Sequence, residues 1–375
     1  MRKKPPLQKR KAVDFTLLMV TMLLVFIGII MVFSASWPEA MQKHNDSYHF
    51  LKKQAFSATL GLLGLIICMN INYKFWKKYA LLFFVLSLIL GVLIFTPLGK
   101  EWKGARRWID LGFITFMPSD FIKIGAIIYF SSFLANKKNK VSTFTQGTFP
   151  ALIIIGLACA MIYIQKDLGT TITLAATLMS IFFVAGINLG HLILMVSGAG
   201  GLGYLALQGE ENAYRMIRIT IFRNPFADKL GAGYQAVQSL YALGSGGIFG
   251  LGLGKSRQKF FYMPESYNDF IFSIIGEELG FIGSLIVTLL FTTLIWRGIR
   301  IALSIEDRFG CYLATGITAL ITIQTLIHIA VVTSSIPTTG ITLPFVSYGG
   351  TSLIVYMSAM GILLNISRHA KFDRS

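Results

Sequence analysis

Long apolar runs, each closed by a few charged or turn-forming residues, dominate the chain. Stretches of about 17 to 25 apolar residues can cross the ~30 Å hydrocarbon core of a bilayer as helices. Ten such runs predict ten membrane helices, over roughly 15–35, 55–72, 79–97, 119–136, 147–165, 168–187, 189–208, 269–296, 309–333 and 347–366. Only Gln165, Lys166 and Asp167 separate the fifth from the sixth, which predicts a tight hairpin. The first run follows a basic stretch and ends in Ser34, Ala35 and Ser36, yet its apolar core of about 20 residues exceeds a signal peptide's 7 to 15, favouring an uncleaved helix. The expected fold class is therefore all-α, one polytopic membrane domain over 1–375 with a basic tail over 1–14, a large loop over 209–268 between the seventh and eighth helices, and a second tail over 367–375.

Composition agrees, and it excludes some partners. With 54% hydrophobic and only 14% charged residues, the chain lies far from a soluble nucleic-acid binder despite its net charge of +17. Placing the N-terminus in the cytoplasm puts 18 basic residues in or beside the inner loops and tails, among them Arg2, Lys74, Lys137, Arg297 and Arg368, against four acids. Most of the positive excess is thus the positive-inside signal, with both termini cytoplasmic. Cys68, Cys159 and Cys311 match no metal spacing and imply no disulfide framework. No internal repeat is visible, which weakens an inverted-repeat transporter reading.

The outer loops depart from that pattern. The loop before the fourth helix holds Lys100 just before Trp102 and Lys103, Arg106 and Arg107 between Trp102 and Trp108, and the loop over 209–268 carries Arg215, Arg218, Arg223, Lys229, Lys255, Arg257 and Lys259. The tryptophans alone would fit an interfacial belt, and single arginines would snorkel to lipid phosphates. Four basic residues in one short outer loop, however, oppose the insertion bias and suit an anionic ligand approached from outside. The run "GSGGIFGLGLG" before Lys255 and Ser256 imitates a nucleotide loop, but Phe249 stands where the P-loop needs glycine and no strand precedes it. It reads as a re-entrant or surface-hugging turn.

Charges in or beside apolar spans are functional candidates, because an ionised side chain at the bilayer centre costs at least about 2.5 to 3.5 kcal/mol. Asp120 and Lys123 open the fourth helix after Pro118 and Ser119, on one face, where they can pair with each other. Asp167 lies in the tight hairpin. Asp269 begins the eighth run, and Glu277 and Glu278 follow two turns later. On one continuous helix Glu277 would stand about 80° and Glu278 about 180° from Asp269, roughly 12 Å along the axis, so a shared site needs other helices. Each acid could instead be a structural ion pair or a helix N-terminal carboxylate.

The motifs "GARRWIDLG", "MPSDFIK", "QKDLGT", "YRMIRI", "GYQAVQSLYALGSGGIFGLGLGKSRQKFFYMPESYNDFIFSIIGEELGFIG" and "SIPTTGITLPFVSYGGTSL" resemble, in order and over essentially the whole chain, those of the SEDS family, the FtsW, RodA and SpoVE proteins. The N-terminal run and "ARRW" resemble the FtsW and SpoVE branch more than RodA. The resemblance implies ten membrane helices in the bacterial cytoplasmic membrane and a peptidoglycan glycosyltransferase that polymerises lipid II, the undecaprenyl-pyrophosphate-linked disaccharide peptide, at the outer face in cell division or sporulation. It implies a class B penicillin-binding protein as partner, alongside divisome or sporulation proteins. By position, Asp269 matches the family's essential aspartate, Asp120 and Lys123 match the Glu and Lys of its "PSE..K" motif, and Asp167 matches the Asp of "QPDLGT". Tyr267 and Asn268 replace a usual His-Thr pair, Asp120 replaces Glu, Lys166 replaces Pro, and His328 stands where Asn is common.

The chemistry fits these residues. A polyprenyl pyrophosphate leaves as a stable anion and needs no protonation, so one carboxylate taking the hydroxyl proton, with cations on the pyrophosphate, suffices; a glycosidase needs an acid as well as a base or nucleophile. Asp269 is the expected catalytic base. Arg106, Arg107 and Lys123, with Asp120, Asp167, Arg215, Lys255 and Glu277, are the expected substrate-binding residues. A divalent cation such as Mg or Mn could share the neutralisation, although no metal-ligand spacing is legible. A flippase for the same lipid, or a scaffold recruiting the penicillin-binding protein, are the competing readings. The charges cluster toward the outer ends rather than the midplane, which favours the enzyme.

Overall fold

The computed structural model describes residues 12–102, 105–110, 115–137, 140–205 and 213–371. Ten helices fall on the ten expected spans: α1 (Phe15–His44), α2 (His49–Asn70), α4 (Ala80–Val92), α5 (Pro118–Lys137), α6 (Phe149–Tyr163), α7 (Leu168–Val184), α8 (Leu189–Leu205), α11 (Ile271–Ser304), α12 (Arg308–Val332) and α13 (Gly350–Ser367). Three shorter helices, α3 (Lys74–Lys78), α9 (Ala213–Ile221) and α10 (Tyr234–Gly246), lie in connections. Among the described residues, six helices are both long and apolar enough to cross a membrane, α6 counting with its lead-in turn. The helix α5 carries Asp120, Lys123 and Lys137, and α4, α7 and α8 are shorter.

Charged ends gather on one side of the bundle. Asp14 caps α1 by accepting the Leu17 N–H at 3.0 Å, its own N–H donates to Ser367 Oγ at 3.1 Å, and Arg297 of α11 pairs with its carboxylate at 2.5 Å. Three helices are thereby tied at that end. Nearby, Asp307 caps α12 and Lys371 pairs with Glu306. At the opposite end α1 runs on past residue 35, through Pro38 to His44, so the helix of 30 residues extends about 45 Å at 1.5 Å per residue, longer than a bilayer core is thick. There the loop before α5 folds into a small antiparallel sheet, β1 (Gly99–Trp102), β2 (Ala105–Asp110) and β3 (Thr115–Phe116), where Arg106 faces Glu101 across the strands and Lys100 pairs with Asp110.

The helix α11 is not continuous. Gly280 sits at φ 68°, ψ −163°, a conformation open to glycine alone, and splits α11 into a short arm with Glu277 and Glu278 and a long arm toward Ser304. A break within an apolar bundle strands backbone groups, which must find partners inside the protein. The glycine-rich turn supplies them. Leu251 and Gly252 donate to the carbonyls of Glu277 and Glu278, both at 2.9 Å, and Phe281 and Ile282 donate to the carbonyls of Gly247 and Ile248 at 2.9 and 3.2 Å. A methyl on Gly250 would stand 2.2 Å from the Glu278 carbonyl oxygen, so the two backbones meet only because side chains are absent. The glycine-rich run is thus a turn that completes a broken helix.

The two glutamates seal this junction. Glu277 accepts the Arg257 N–H at 2.9 Å and the Ser256 hydroxyl. Glu278 accepts Ser34 Oγ at 2.5 Å, the Ser256 N–H at 3.2 Å and Lys259 Nζ at 2.9 Å, all buried. Removing one member of such a pair leaves an uncompensated buried charge. Lys259→Met should therefore lower unfolding stability by about 3–5 kcal/mol, and adding Glu278→Gln should restore much of it. Denaturant unfolding in detergent micelles checks this, and an unchanged midpoint for the single variant would show the pair to be solvated.

Candidate active site

The segment between α12 and α13, residues 333–349, is irregular backbone that dives into the bundle. Leu343, Phe345 and Val346 are buried, and Phe345 and Val346 lie against Gly28 in the middle of α1. Irregular backbone at that depth is tolerated only where protein satisfies its polar groups. Gln324 and His328, one turn apart on α12, do so from below: Gln324 Nε2 donates to the Thr342 carbonyl at 2.9 Å, and His328 Nδ1 bonds the Ile341 carbonyl at 2.8 Å. A carbonyl only accepts, so His328 carries its proton on Nδ1. From α2, Gln54 reaches the Ser347 carbonyl at 3.3 Å.

Asp269 is placed by this loop. It does not begin α11, as the apolar pattern suggested, but lies on the turn two residues before it, with its N–H donating to the Glu265 carbonyl at 3.1 Å. The angular relation computed for one continuous helix therefore does not apply. Ser347 Oγ donates to the Asn268 carbonyl at 2.7 Å, and the Tyr348 N–H to the Tyr267 carbonyl at 3.0 Å. On the other side, Asp269 Oδ2 lies 3.4 Å from where a β-carbon on Gly340 would be. Gly340 adopts φ +72°, in the left-handed region that disfavours other residues. Asp269 is partly exposed, whereas Asp120, Asp167, Glu277 and Glu278 are all buried.

Five consecutive residues, 338–342, collect the surroundings of Asp269. Arg218 of α9 donates Nη1 to the Thr338 carbonyl at 3.0 Å. Thr339 and Ile341 pack against Gly169 in the first turn of α7. Neighbouring Tyr267 packs its ring at a tilt against Phe50 and edge-on against Tyr348, and donates to Glu39 at 3.3 Å. Burial, reinforced by the Glu39 and Glu265 carboxylates, pushes its phenol well above the ordinary range, so it stays a neutral donor.

The other expected residues divide by environment. Arg106 and Lys255 are exposed, Arg106 3.4 Å from Glu101 in the sheet. Arg107 is half-buried and turned to protein: its guanidinium donates to the carbonyls of Gln165 and Lys166, fastening the sheet to the α6–α7 hairpin. In that hairpin Asp167 caps α7, accepting the Thr170 N–H at 3.0 Å and its hydroxyl at 2.9 Å. Asp120 and Lys123 pair with each other at 2.8 Å inside the bundle, and Glu277 holds the glycine-rich turn. Arg215 belongs to α9, but its side chain lies outside the described residues, as does Lys103. Among the described residues, no three His, Cys, Asp or Glu side chains converge as a donor set for a cation. The sequence reading passed over Gln324 and Tyr356 and left Arg218 among the loop's basic residues. Polar side chains at 324 and 328, spaced i, i+4 in an otherwise apolar run, were the available signal.

The FtsW, RodA and SpoVE family, described as cell cycle proteins, matches residues 14–372. The chain is 44% identical to stage V sporulation protein E of Bacillus subtilis over 366 residues, covering 97% of this chain and 99% of that protein. It is 41% identical to a probable peptidoglycan glycosyltransferase FtsW of a Geobacter species, covering 94% and 96%. Among solved structures, it superposes with a TM-score of 0.78 at 23% identity on a chain from a peptidoglycan synthase complex that coordinates polymerisation and crosslinking, covering 95% of this chain and 98% of that one. The rod shape determining protein RodA of Thermus thermophilus gives a TM-score of 0.71 at 24% identity, covering 96% and 99%.

A residue other than glycine at a left-handed position costs about 1–2 kcal/mol. Gly340→Ala should therefore lower unfolding stability by about that amount. Gly156→Ala, in α6 where an added methyl meets nothing within 4 Å, should leave stability unchanged or raise it by up to about 1 kcal/mol. Equal effects of the two in detergent unfolding would rule out strain at Gly340.

Proposed function

The chain belongs to the FtsW, RodA and SpoVE family, and from that membership we propose that it is a peptidoglycan glycosyltransferase, a multi-pass membrane enzyme that polymerises lipid II at the outer face of the bacterial cytoplasmic membrane. The observation that carries the assignment of the base is the contrast in burial: of the five acids singled out, Asp269 alone is partly exposed, on a turn held by the 338–348 loop. In the reaction a sugar hydroxyl attacks the anomeric carbon of the donor, the bond to the polyprenyl pyrophosphate breaks, and the pyrophosphate leaves with the electron pair. Asp269 takes the hydroxyl proton. Arg106 and Lys255, exposed at the same end, Arg215 on sequence grounds, and Arg218 beside the loop are the cations proposed to meet the pyrophosphate. Arg107, Asp167 and Glu277 serve the framework around them.

Both termini are proposed to be cytoplasmic. The Asp14–Arg297 and Lys371–Glu306 pairs support this, because they gather at one end residues that the positive-inside bias assigns to one side. A class B penicillin-binding protein is the proposed partner, in keeping with the resemblance to a synthase complex of known fold, and cell division or sporulation is the proposed setting.

Purified with such a partner and given lipid II, the wild-type protein should form glycan polymer, and Asp269→Ala and Asp269→Asn should each lose at least ~100-fold in rate, the lower range for general acid–base catalysis. Polymer from both variants at the normal rate would overturn the catalytic assignment. Lipid II transfer across liposomes by the wild type without polymer would favour the flippase. For orientation, a phosphatase fused after Ser375 should be inactive in cells and one inserted beside Lys255 active. The reverse pattern would invert the topology.

A further inference from the structure

Inside the bundle a continuous chain of hydrogen bonds leads from α5 to the loop at Asp269. Lys123 Nζ pairs with Asp120 Oδ1 at 2.8 Å and donates to the Tyr356 hydroxyl of α13 at 2.9 Å. Tyr356 donates to Gln324 Oε1 on α12. Gln324 Nε2 donates to the carbonyl and, at 3.3 Å, the hydroxyl of Thr342. Ser352 Oγ of α13 donates to the second oxygen of Asp120. Lys123 is 4% exposed and Tyr356 1%. Neither has a surface to offer a pyrophosphate.

From this geometry we infer that Asp120, Lys123, Tyr356 and Gln324 are positioning residues that act on Asp269 through the 338–348 loop, and that the buried ion pair is not a ligand of the lipid pyrophosphate. The inference rests on Asp269 being the catalytic base. The chain has a direction. The ammonium of Lys123 can only donate, so it occupies a lone pair of the Tyr356 oxygen and leaves that hydroxyl to point its proton at Gln324. Tyr356 thereby takes the carbonyl end of the Gln324 amide, and the NH₂ end is turned to Thr342. Without the ammonium, the hydroxyl can rotate and the amide can flip, presenting an oxygen to the Thr342 carbonyl where a donor is needed. His328 forms the parallel rung on Ile341. The two carbonyls so held follow Gly340 directly, and a β-carbon on Gly340 would stand 3.4 Å from Asp269 Oδ2. Farther along, Ser347 and Tyr348 hold the backbone of Asn268 and Tyr267, so the loop grips the segment on both sides. A misplacement of about 1 Å at a reacting group can lose ~100-fold in rate, which makes so remote a clamp matter for turnover.

Two readouts test this. In the purified wild-type protein and in Tyr356→Phe, which deletes one oxygen atom, amide hydrogen exchange over 338–348 is measured by mass spectrometry. The variant should exchange at least ~10-fold faster there, with exchange in α2 and α6 unchanged. With lipid II and the partner transpeptidase, Tyr356→Phe, Gln324→Leu and the paired variant Asp120→Asn with Lys123→Met should each lose about 10-fold in kcat with KM within twofold. Combining Tyr356→Phe with Gln324→Leu should be no worse than Gln324→Leu alone, because both interrupt one chain. Unchanged exchange over 338–348, multiplying rather than shared losses, or a raised KM with intact kcat in the paired variant would each overturn the inference, the last by making Lys123 a ligand after all. The exchange arm needs no activity, so a wild type that forms no polymer would count against the enzyme reading alone, while exchange still decides whether the network holds the loop.

Discussion

Backbone that leaves helical geometry inside an apolar bundle must find every hydrogen-bond partner within the protein, since lipid offers none. Two segments of this protein are built around that requirement. At Gly280 the break in α11 is closed by the glycine-rich turn, with Glu277, Glu278, Ser256 and Lys259 sealing the junction. Between α12 and α13, the carbonyls of Ile341, Thr342 and Ser347 are met by His328, Gln324 and Gln54. Both segments flank the turn that carries Asp269. The irregularity that gives this carboxylate its place is sustained by polar side chains on α2, α11 and α12.

The same requirement sorts the acids. A carboxylate in an apolar bundle is retained when hydrogen bonds and a counter-charge compensate its desolvation. Asp120 and Glu278 have both, with Lys123 and Lys259 as counter-charges, while Asp167 and Glu277 are held by hydrogen bonds from backbone N–H groups and hydroxyls. They shape the frame in which Asp269, partly exposed, can meet a hydroxyl. The cations divide by burial: Arg107, Lys123 and Lys259 are half-buried or buried against protein oxygens, while Arg106, beside Glu101, and Lys255 are exposed.

Some of this arrangement was legible before any coordinates. Asp120 and Lys123, three residues apart on one helix, were expected to be able to pair, and they do. The glycine-rich run was expected to form a re-entrant or surface-hugging turn, and the turn it forms pairs its backbone with α11. The break at Gly280 was not legible, because a glycine in an apolar helix ordinarily continues the helix and only the turn from 247–252 makes the break tolerable. Nor was the convergence of Arg218, Gly169 and Asp269 on residues 338–342, since these positions are far apart in sequence and no local pattern joins them. Ile341 and Thr342 present only backbone carbonyls to α12, and backbone groups carry no sequence signature.

The sequence by itself determined the apolar helices, the charge bias between their loops and the family, because apolar length, loop charge and ordered motifs are properties of consecutive residues. Tertiary structure alone decided which charges are spent within the bundle and which face outward. Pairing, burial and the register of one loop against three helices depend on distances between residues that the chain keeps apart.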